Sequence, residues 1–242
     1  MVADAHSLAL AVVVPTLNDD AALARLLPLL GRLAMPPEQV IVVDGAASEA
    51  TAALCRNAGC TWMPSGAGRG VQLNAGIAAA RAAGAGVLWM VHADCEPHAA
   101  SVRAIREAAA AGAAGGYFRF RFGGARSPLK RFLEACIAWR CRLSMVYGDQ
   151  GIFVARAAYE ATPGIGAQPL FEEVALVRAL RRTRRFVAVP LPMTVSERRW
   201  QREGLLRRTL RNRTLALAFV LGIDPVTLAR WYRASRARAL RP

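Results

Sequence analysis

The first sustained pattern along the chain is LALAVVVP (Leu8 to Pro15), an apolar run with no polar alternation, which predicts a strand covered on both faces. TLND follows, and then AALARLLPLLGRLA, whose leucines recur at helical spacing despite Pro28. The opening unit is therefore strand, loop, helix. QVIVVD (Gln39 to Asp44) repeats it, with GAAS as the turn, SEATAALCRNAG as the helix and Ser48 as its cap. CTWM (Cys60 to Met63) predicts a short third strand and GVQLNAGIAAARAAGAG a third helix; VLWMVHAD predicts a fourth strand, ended by a Cys-Glu-Pro breaker, and HAASVRAIREAAAAG a fourth helix.

The later pattern is less regular. YFRFRF (Tyr117 to Phe122) alternates aromatic and arginine, the period of a half-exposed strand. Leu129 to Met145 reads as a helix, and GDQGIFVAR sets a polar triplet before another short strand. FEEVALVRALRR predicts a helix with Glu172 and Glu173 in its first turn, where the helix dipole favours negative charge. FVAVPLP reads as a strand stopped by prolines, and the tail from Gly204 as two basic amphipathic helices broken near Asp224-Pro225. Strands alternating with helices specify an α/β fold: an open, mostly parallel sheet with helices on both faces. No linker forces a split, so 1–242 reads as one domain, with a nucleotide-binding half at 1–115, an acceptor half at 116–203 and basic C-terminal helices at 204–242.

A chain of 242 residues, 54% of them hydrophobic, can bury a full core, which argues against disorder. LALAFVLGI (Leu215 to Ile223) is too short to span a bilayer, and MVADAHSLAL lacks the basic start of a targeting signal, so a cytoplasmic protein is expected. Five cysteines without a C-x-x-C pair read as free thiols in a reducing compartment. The formal charge of +15 is unevenly spread: seven basic residues face nine acidic ones in 1–115, whereas 25 face eight in 116–242. The basic half suits a polyanionic ligand, an acidic membrane surface or simply a solvated arginine-rich face.

Ligands of such sheets bind beyond the carboxyl ends of the strands. Three strands end there in polar groups: Pro15-Thr16, Asp44 and His92-Ala93-Asp94. His92 and Asp94 fit either a divalent cation bridging a diphosphate or, more blandly, a helix cap. Asp44 fits a ribose or base contact or an Asx turn with Gly45. GAGRGVQLNAG, with Arg69 at its centre, fits a phosphate-facing loop or an ordinary one; valine at position 71 excludes G-x-G-x-x-G. Glu172-Glu173 fits a general base or helix-start glutamates paired with Arg178 and its neighbours.

In this order the motifs resemble family-2 glycosyltransferases of the GT-A fold, over roughly Leu8 to Trp200. VVVPTLND resembles the opening strand, VIVVDGAASEAT the DGGSxDGT element, GRGVQLNAG the helix ending in N-x-G, VHADCEP the D-x-D metal motif, FEE the Glu-Asp pair and SERRW the arginine-tryptophan motif. HAD for D-x-D, the GDQGIFVAR segment and the ending GIDPVTLARWY resemble a small subgroup of selenodomain-associated or arsenosugar-biosynthesis transferases. The resemblance implies an inverting transferase moving a sugar from a UDP- or GDP-linked donor to an acceptor hydroxyl. Pro15, Thr16, Asn18, Asp44, Arg69 and Asn74 would bind the donor, and Asp94 with His92 would hold Mn²⁺ or Mg²⁺. Glu173, beside Glu172, would be the base, and Gly148, Asp149, Gln150, Arg199 and Trp200 would line the acceptor side. The tail helices would give peripheral contact with the inner membrane face. The departures are Ala46, Ala47 and Glu49 in the DGGSxDGT element, His92 for an acid, which suits Mn²⁺ better than Mg²⁺, and Glu for Asp at 173. A sugar nucleotidyltransferase would carry its glycine-rich loop directly after the first strand, where PTLNDD stands. A basic nucleic-acid-binding protein would leave the polar strand ends without purpose, so no nucleic-acid partner is expected.

Overall fold

The computed structural model of the protein describes residues 9–143 and 145–239; for residues 199 and 235–239 it describes the backbone alone. The expected start of the first strand at Leu8 and the residues before it, read as lacking a targeting signal, lie outside the described residues. β1 (Leu10–Thr16), α1 (Asp20–Gly31), β2 (Gln39–Asp44), α2 (Glu49–Asn57), β3 (Thr61–Pro64), α3 (Arg69–Ala82) and β4 (Val87–Met90) follow the anticipated alternation. The Ser48 hydroxyl caps α2 by accepting from the Thr51 N–H. The four strands are parallel, in the order β3-β2-β1-β4. Alternate residues of β1 enter two separate cores: Leu10, Val12 and Val14 pack with Leu23, Leu26 and Leu30 of α1, while Ala11 and Val13 pack with Leu73, Ile77 and Ala80 of α3. Helices on both faces explain why the strand needs no polar position.

Beyond β4 the chain departs from the sequence reading. The strand ends at Met90, so His92 and Asp94 occupy a turn past its end. Cys95-Glu96-Pro97 is not a breaker but a short strand, β5 (Cys95–Pro97), which pairs antiparallel with β8 (Phe186–Val195). Between them come α4 (Ser101–Ala110), β6 (Gly115–Phe122), α5 (Pro128–Leu143), a 3-10 turn at Gly148–Gln150, β7 (Phe153–Ala155), α6 (Arg156–Glu160) and α7 (Val174–Arg182). β7 lies antiparallel between β4 and β6, completing the eight-stranded sheet β3-β2-β1-β4-β7-β6-β8-β5. In β6, Arg119 and Arg121 are exposed and Phe118, Phe120 and Phe122 buried, as the alternation required. β8 continues through Pro190 and Pro192 instead of stopping there: Phe118 pairs with Val189 but Arg119 with Pro192, so the prolines sit at a bulge, where a missing N–H costs little. Glu172 and Glu173 precede α7 rather than filling its first turn.

A helix not anticipated, α8 (Arg198–Glu203), leads into α9 (Leu205–Val220) and α10 (Pro225–Ala239), which break as expected at Asp224. Leu215, Ala218 and Leu228 of these helices pack against Leu170 and Phe171, and the rings of Phe171 and Phe219 stack at 4.5 Å. No helix of the described residues is long and apolar enough to cross a membrane. None of the five cysteines is in a disulfide. The strand order reverses at β1, with β2 on one side and β4 on the other, and a crevice opens at the carboxyl ends of these strands.

Candidate active site

A cavity of about 460 Å³ fills that crevice. Pro15 and Thr16 reach it from the end of β1, Gly68 and Arg69 from the start of α3, His92 and Asp94 from the turn after β4, Gly148 and Asp149 from the 3-10 turn, Glu173 from the segment before α7 and Trp200 from α8. Nine of the residues expected at the site therefore meet there: Pro15, Thr16, Arg69, His92, Asp94, Gly148, Asp149, Glu173 and Trp200.

Local sequence explains the convergence. Gly70 lies so close to the loop before α7 that a Cβ would stand 2.0 Å from the Gly166 carbonyl oxygen, so the glycine lets the start of α3 meet that loop. Gln72 bridges strand ends, its amide donating to the carbonyls of Thr16 and Val43. Gly148 packs on the imidazole of His92, where a Cβ would be 2.7 Å from Nε2. Phe171 adopts φ +61°, a conformation bulky residues rarely hold, and turns the chain so that Glu172 and Glu173 face inward.

The two glutamates have different surroundings. Glu172 is buried and takes a two-pronged ion pair from Arg69, with Nη2 at 3.0 Å and Nε closer. Desolvation works against the Arg69 charge, but Glu172, then Glu173 and Asp149, raise its pKa above the arginine range, so it stays charged. Glu173 is 3% exposed; one oxygen accepts from the Gly148 N–H at 3.1 Å, and Oε2 is enclosed without a hydrogen-bond partner. Burial, reinforced by the Glu172 charge and opposed by Arg69, pushes the Glu173 carboxyl up to about 7. Asp149 is raised too, chiefly by burial and then by Asp94, with Arg140 opposing. One of its oxygens is also enclosed without a partner.

Donor atoms of His92, Asp94 and Cys95 lie within 4.8 Å of one another. A ring nitrogen and a carboxylate facing the cavity, with the Asp149 carboxylate close enough to be perturbed by Asp94, fit a divalent cation: like charges crowded together favour one.

Five expected residues are not brought to the cavity. Asp44 is fully buried and its carboxylate accepts from the N–H groups of Ala46 and Ser48 at 2.9 and 2.7 Å, so it builds the turn after β2. Asn74 ties α3 to the loop before α7, donating to the Ile165 carbonyl at 2.9 Å and accepting from the Tyr159 hydroxyl. Gln150 is buried, with its amide on the Phe118 carbonyl and its oxygen near Cys141 and Arg140. Asn18 is exposed in the loop after β1, and Glu172 is engaged by Arg69 and not by Arg178. The side chain of Arg199 lies outside the described residues. The sequence reading missed Tyr147, Phe171, Arg208, Asn212 and Tyr232, which also line the cavity. A signal existed for two of them: Arg208, Asn212 and Leu215 fall at i, i+4 and i+7, one face of α9, and that face turns inward.

Comparison with known proteins follows the geometry. The profile described as glycosyl transferase family 2 matches residues 11–152. No curated protein is significantly similar in sequence. Among solved structures, glucosyl-3-phosphoglycerate synthase from Mycobacterium tuberculosis, in complex with Mn²⁺, UDP and glucosyl-3-phosphoglycerate, is 19% identical with a TM-score of 0.57, over 89% of this chain and 80% of that one. The mannosyltransferase PcManGT from Pyrobaculum calidifontis, with GDP-Man and Mn²⁺, is 16% identical with a TM-score of 0.58, over 96% and 81%. S. aureus TarS 1-349, with UDP-GlcNAc, is 14% identical with a TM-score of 0.56, over 78% and 58%. At these identities the likeness establishes the fold.

Proposed function

Since the chain belongs to glycosyl transferase family 2 and has its GT-A fold, we propose that it is an inverting, metal-dependent transferase that moves a sugar from a UDP- or GDP-linked donor to an acceptor hydroxyl. The observation that carries this reading is Glu173, buried with Oε2 unpartnered, in the lining of the same cavity as His92 and Asp94.

His92 and Asp94 would hold the cation, which when bound neutralises charge developing on the departing diphosphate. The chain's own residues do the rest. Glu173, its other oxygen fixed by Gly148, takes the proton of the acceptor hydroxyl. The acceptor oxygen forms the new bond to the anomeric carbon as the carbon–oxygen bond to the diphosphate breaks, its electron pair leaving with the diphosphate; attack opposite the leaving group inverts the centre. A pKa near 7 leaves Glu173 able to accept a proton at neutral pH yet basic enough to keep it. Arg69 adds fixed positive charge at the cavity wall, and Glu172 holds it there.

The contact of Gly148 with His92 supports the narrower likeness to selenodomain-associated or arsenosugar-biosynthesis transferases, because the HAD and GDQG segments that carry it form one packed unit. The free cysteines support a reducing, cytoplasmic setting, and the packing of the tail onto the cavity supports a single catalytic unit over 1–242. The tail's membrane role is confined to its outer face. There Leu206, Leu210, Leu217 and Leu221 are 60–74% exposed, with Arg202, Arg207 and Arg230 also exposed, a pattern that suits the anionic inner face of a membrane.

The test is calorimetry of UDP and GDP with and without Mn²⁺. Wild type should bind one of them at least tenfold more tightly with Mn²⁺, and Asp94→Ala should lose that difference; a variant that keeps it would remove Asp94 from the cation site.

A further inference from the structure

The wall of the cavity formed by α8 to α10 carries a charge imbalance that the chemistry at Glu173 does not use. Glu203, at the end of α8, is buried and both its carboxylate oxygens are engaged: Oε1 by Arg208 at 2.7 Å and Oε2 by Arg211. Arg208 is 5% exposed, lines the cavity and lies with its guanidinium carbon 4.7 Å from the centre of the Trp200 ring. Arg211 lies 5.0 Å from the Tyr232 ring, and both rings face the cavity. Among the described residues Glu203 is the acid paired with either arginine, so two cations share one anion. The Nε groups of both arginines are enclosed without a hydrogen-bond partner.

Uncompensated buried charge is costly, and planar guanidinium groups held by aromatic stacking are suited to bidentate capture of an oxyanion. Asn212, one turn beyond Arg208, adds an amide on the same wall. Asp94, Asp149 and Glu173, which line the same cavity from other elements, are acidic and already provide for a cation and a proton.

We propose that Arg208, braced by Trp200, Glu203 and Arg211 and assisted by Asn212, is an oxyanion-binding site, and that the group it takes is a phosphoryl or carboxylate carried by the acceptor. The anion site stands on the charge imbalance alone; its assignment to the acceptor rests on the glycosyltransferase reading, in which the donor diphosphate is neutralised at His92 and Asp94.

The experiment uses the full chain in two arms. In the first, without metal or nucleotide, inorganic phosphate is added and the melting temperature followed. Wild type should be stabilised, Arg208→Gln should not, and Glu203→Gln, which removes the competing carboxylate, should be stabilised more than wild type. A pair with a purely structural role would not give these opposite signs. Arg208→Gln leaves Glu203 paired with Arg211, and Arg208→Lys, which keeps the charge but not the fork, serves if the glutamine variant does not fold. No phosphate effect on wild type, or an equal one on Arg208→Gln, overturns the proposal. In the second arm, protein saturated with UDP and Mn²⁺ is titrated with glycerol 3-phosphate and, as the neutral control, glycerol. Glycerol 3-phosphate should bind, glycerol should not, and Arg208→Gln should weaken that binding by about 10–100-fold while leaving UDP affinity within twofold. Competition between glycerol 3-phosphate and UDP, with UDP itself weakened in Arg208→Gln, would assign the anion to the donor diphosphate and overturn the acceptor assignment. Absence of any nucleotide binding would instead sink the transferase reading, while the phosphate arm still decides the anion site.

Discussion

Replacing Glu173 by glutamine should have opposite effects on stability and turnover. The carboxyl is buried, accepts one N–H and has one enclosed oxygen without a partner, so its ionised form is disfavoured and its pKa rises from 4.5 to about 7. The folded state therefore holds a proton that the unfolded chain releases. The contribution of this group to stability is most favourable below pH 4.5, where both states are protonated, and falls as pH rises towards 7. A shift of this size corresponds to a destabilisation of about 3 kcal/mol at pH 8, shared in practice with Glu172, which repels it. Glutamine keeps an oxygen for the Gly148 N–H and carries no charge. Glu173→Gln should melt as much as about 6–12 °C above wild type at pH 8, and the gap should close as pH falls towards 4.5. Transfer of sugar should fall by about 10²–10⁴-fold, the usual contribution of a general base, with donor binding retained. Thermal melts across pH 4.5–8, paired with a nucleoside diphosphate release assay, measure both. A variant less stable than wild type at pH 8, or one with undiminished turnover, would refute the reasoning.

Two further variants probe other parts of the structure. Gly148→Ala drives a methyl to 2.7 Å from His92 Nε2, so the imidazole must swing aside; overpacking should cost about 1–3 kcal/mol, and the Mn²⁺-dependent gain in UDP affinity should drop tenfold or more. Calorimetry showing an unchanged metal effect would exclude His92 from the cation site. On the outer face of α9, Leu210→Glu together with Leu217→Glu should abolish cosedimentation with vesicles of anionic phospholipid, and wild-type binding should weaken as salt rises; equal pelleting of the two proteins would leave that face without a membrane role.

What could be read from sequence followed the strength of local pattern. β1 to β4 and their helices announce themselves because a strand buried on both faces must be apolar throughout, and a helix crossing it must show a 3.6 period. β5 has three residues and owes its existence to Thr194 and its neighbours in β8, about a hundred positions away, so no local signal marks it. Pro190 and Pro192 suggested an end because a proline cannot donate; the bulge that accommodates them depends on the partner strand. At the site, neither residue type nor motif position settled which side chains reach the cavity. His92, Asp94 and Glu173 reach the cavity, whereas Asp44 and Asn74, equally prominent in the motifs, are consumed by a turn and a helix-to-loop tie. Short polar side chains serve backbone donors as readily as ligands, and only the fold shows which they meet.

The family match stops at residue 152, and the site divides near the same point. The ends of β1 and β4 and the start of α3 supply Thr16, Arg69, His92 and Asp94 from within the matched segment. The proposed proton acceptor, Glu173, and the aromatic and arginine wall of Trp200, Arg208 and Tyr232 come from beyond it. A donor diphosphate presents the same charge whatever sugar it carries, so one strand-end geometry can serve many members of a family. An acceptor must be met by side chains specific to it, and α9 and α10, whose buried Leu215, Ala218 and Leu228 pack with Leu170 and Phe171, can exchange such side chains while Trp200 of α8 anchors this wall to Phe120 and Phe122 of β6. The strong positive bias of the second half of the chain includes many exposed arginines on the outer surface and, at the cavity wall formed by α8 to α10, the Arg208–Arg211 pair sharing Glu203. The Arg208–Arg211 pair sits where charge is costly to leave unbalanced, and on the proposed reading the charge of the acceptor is the property that this wall reads.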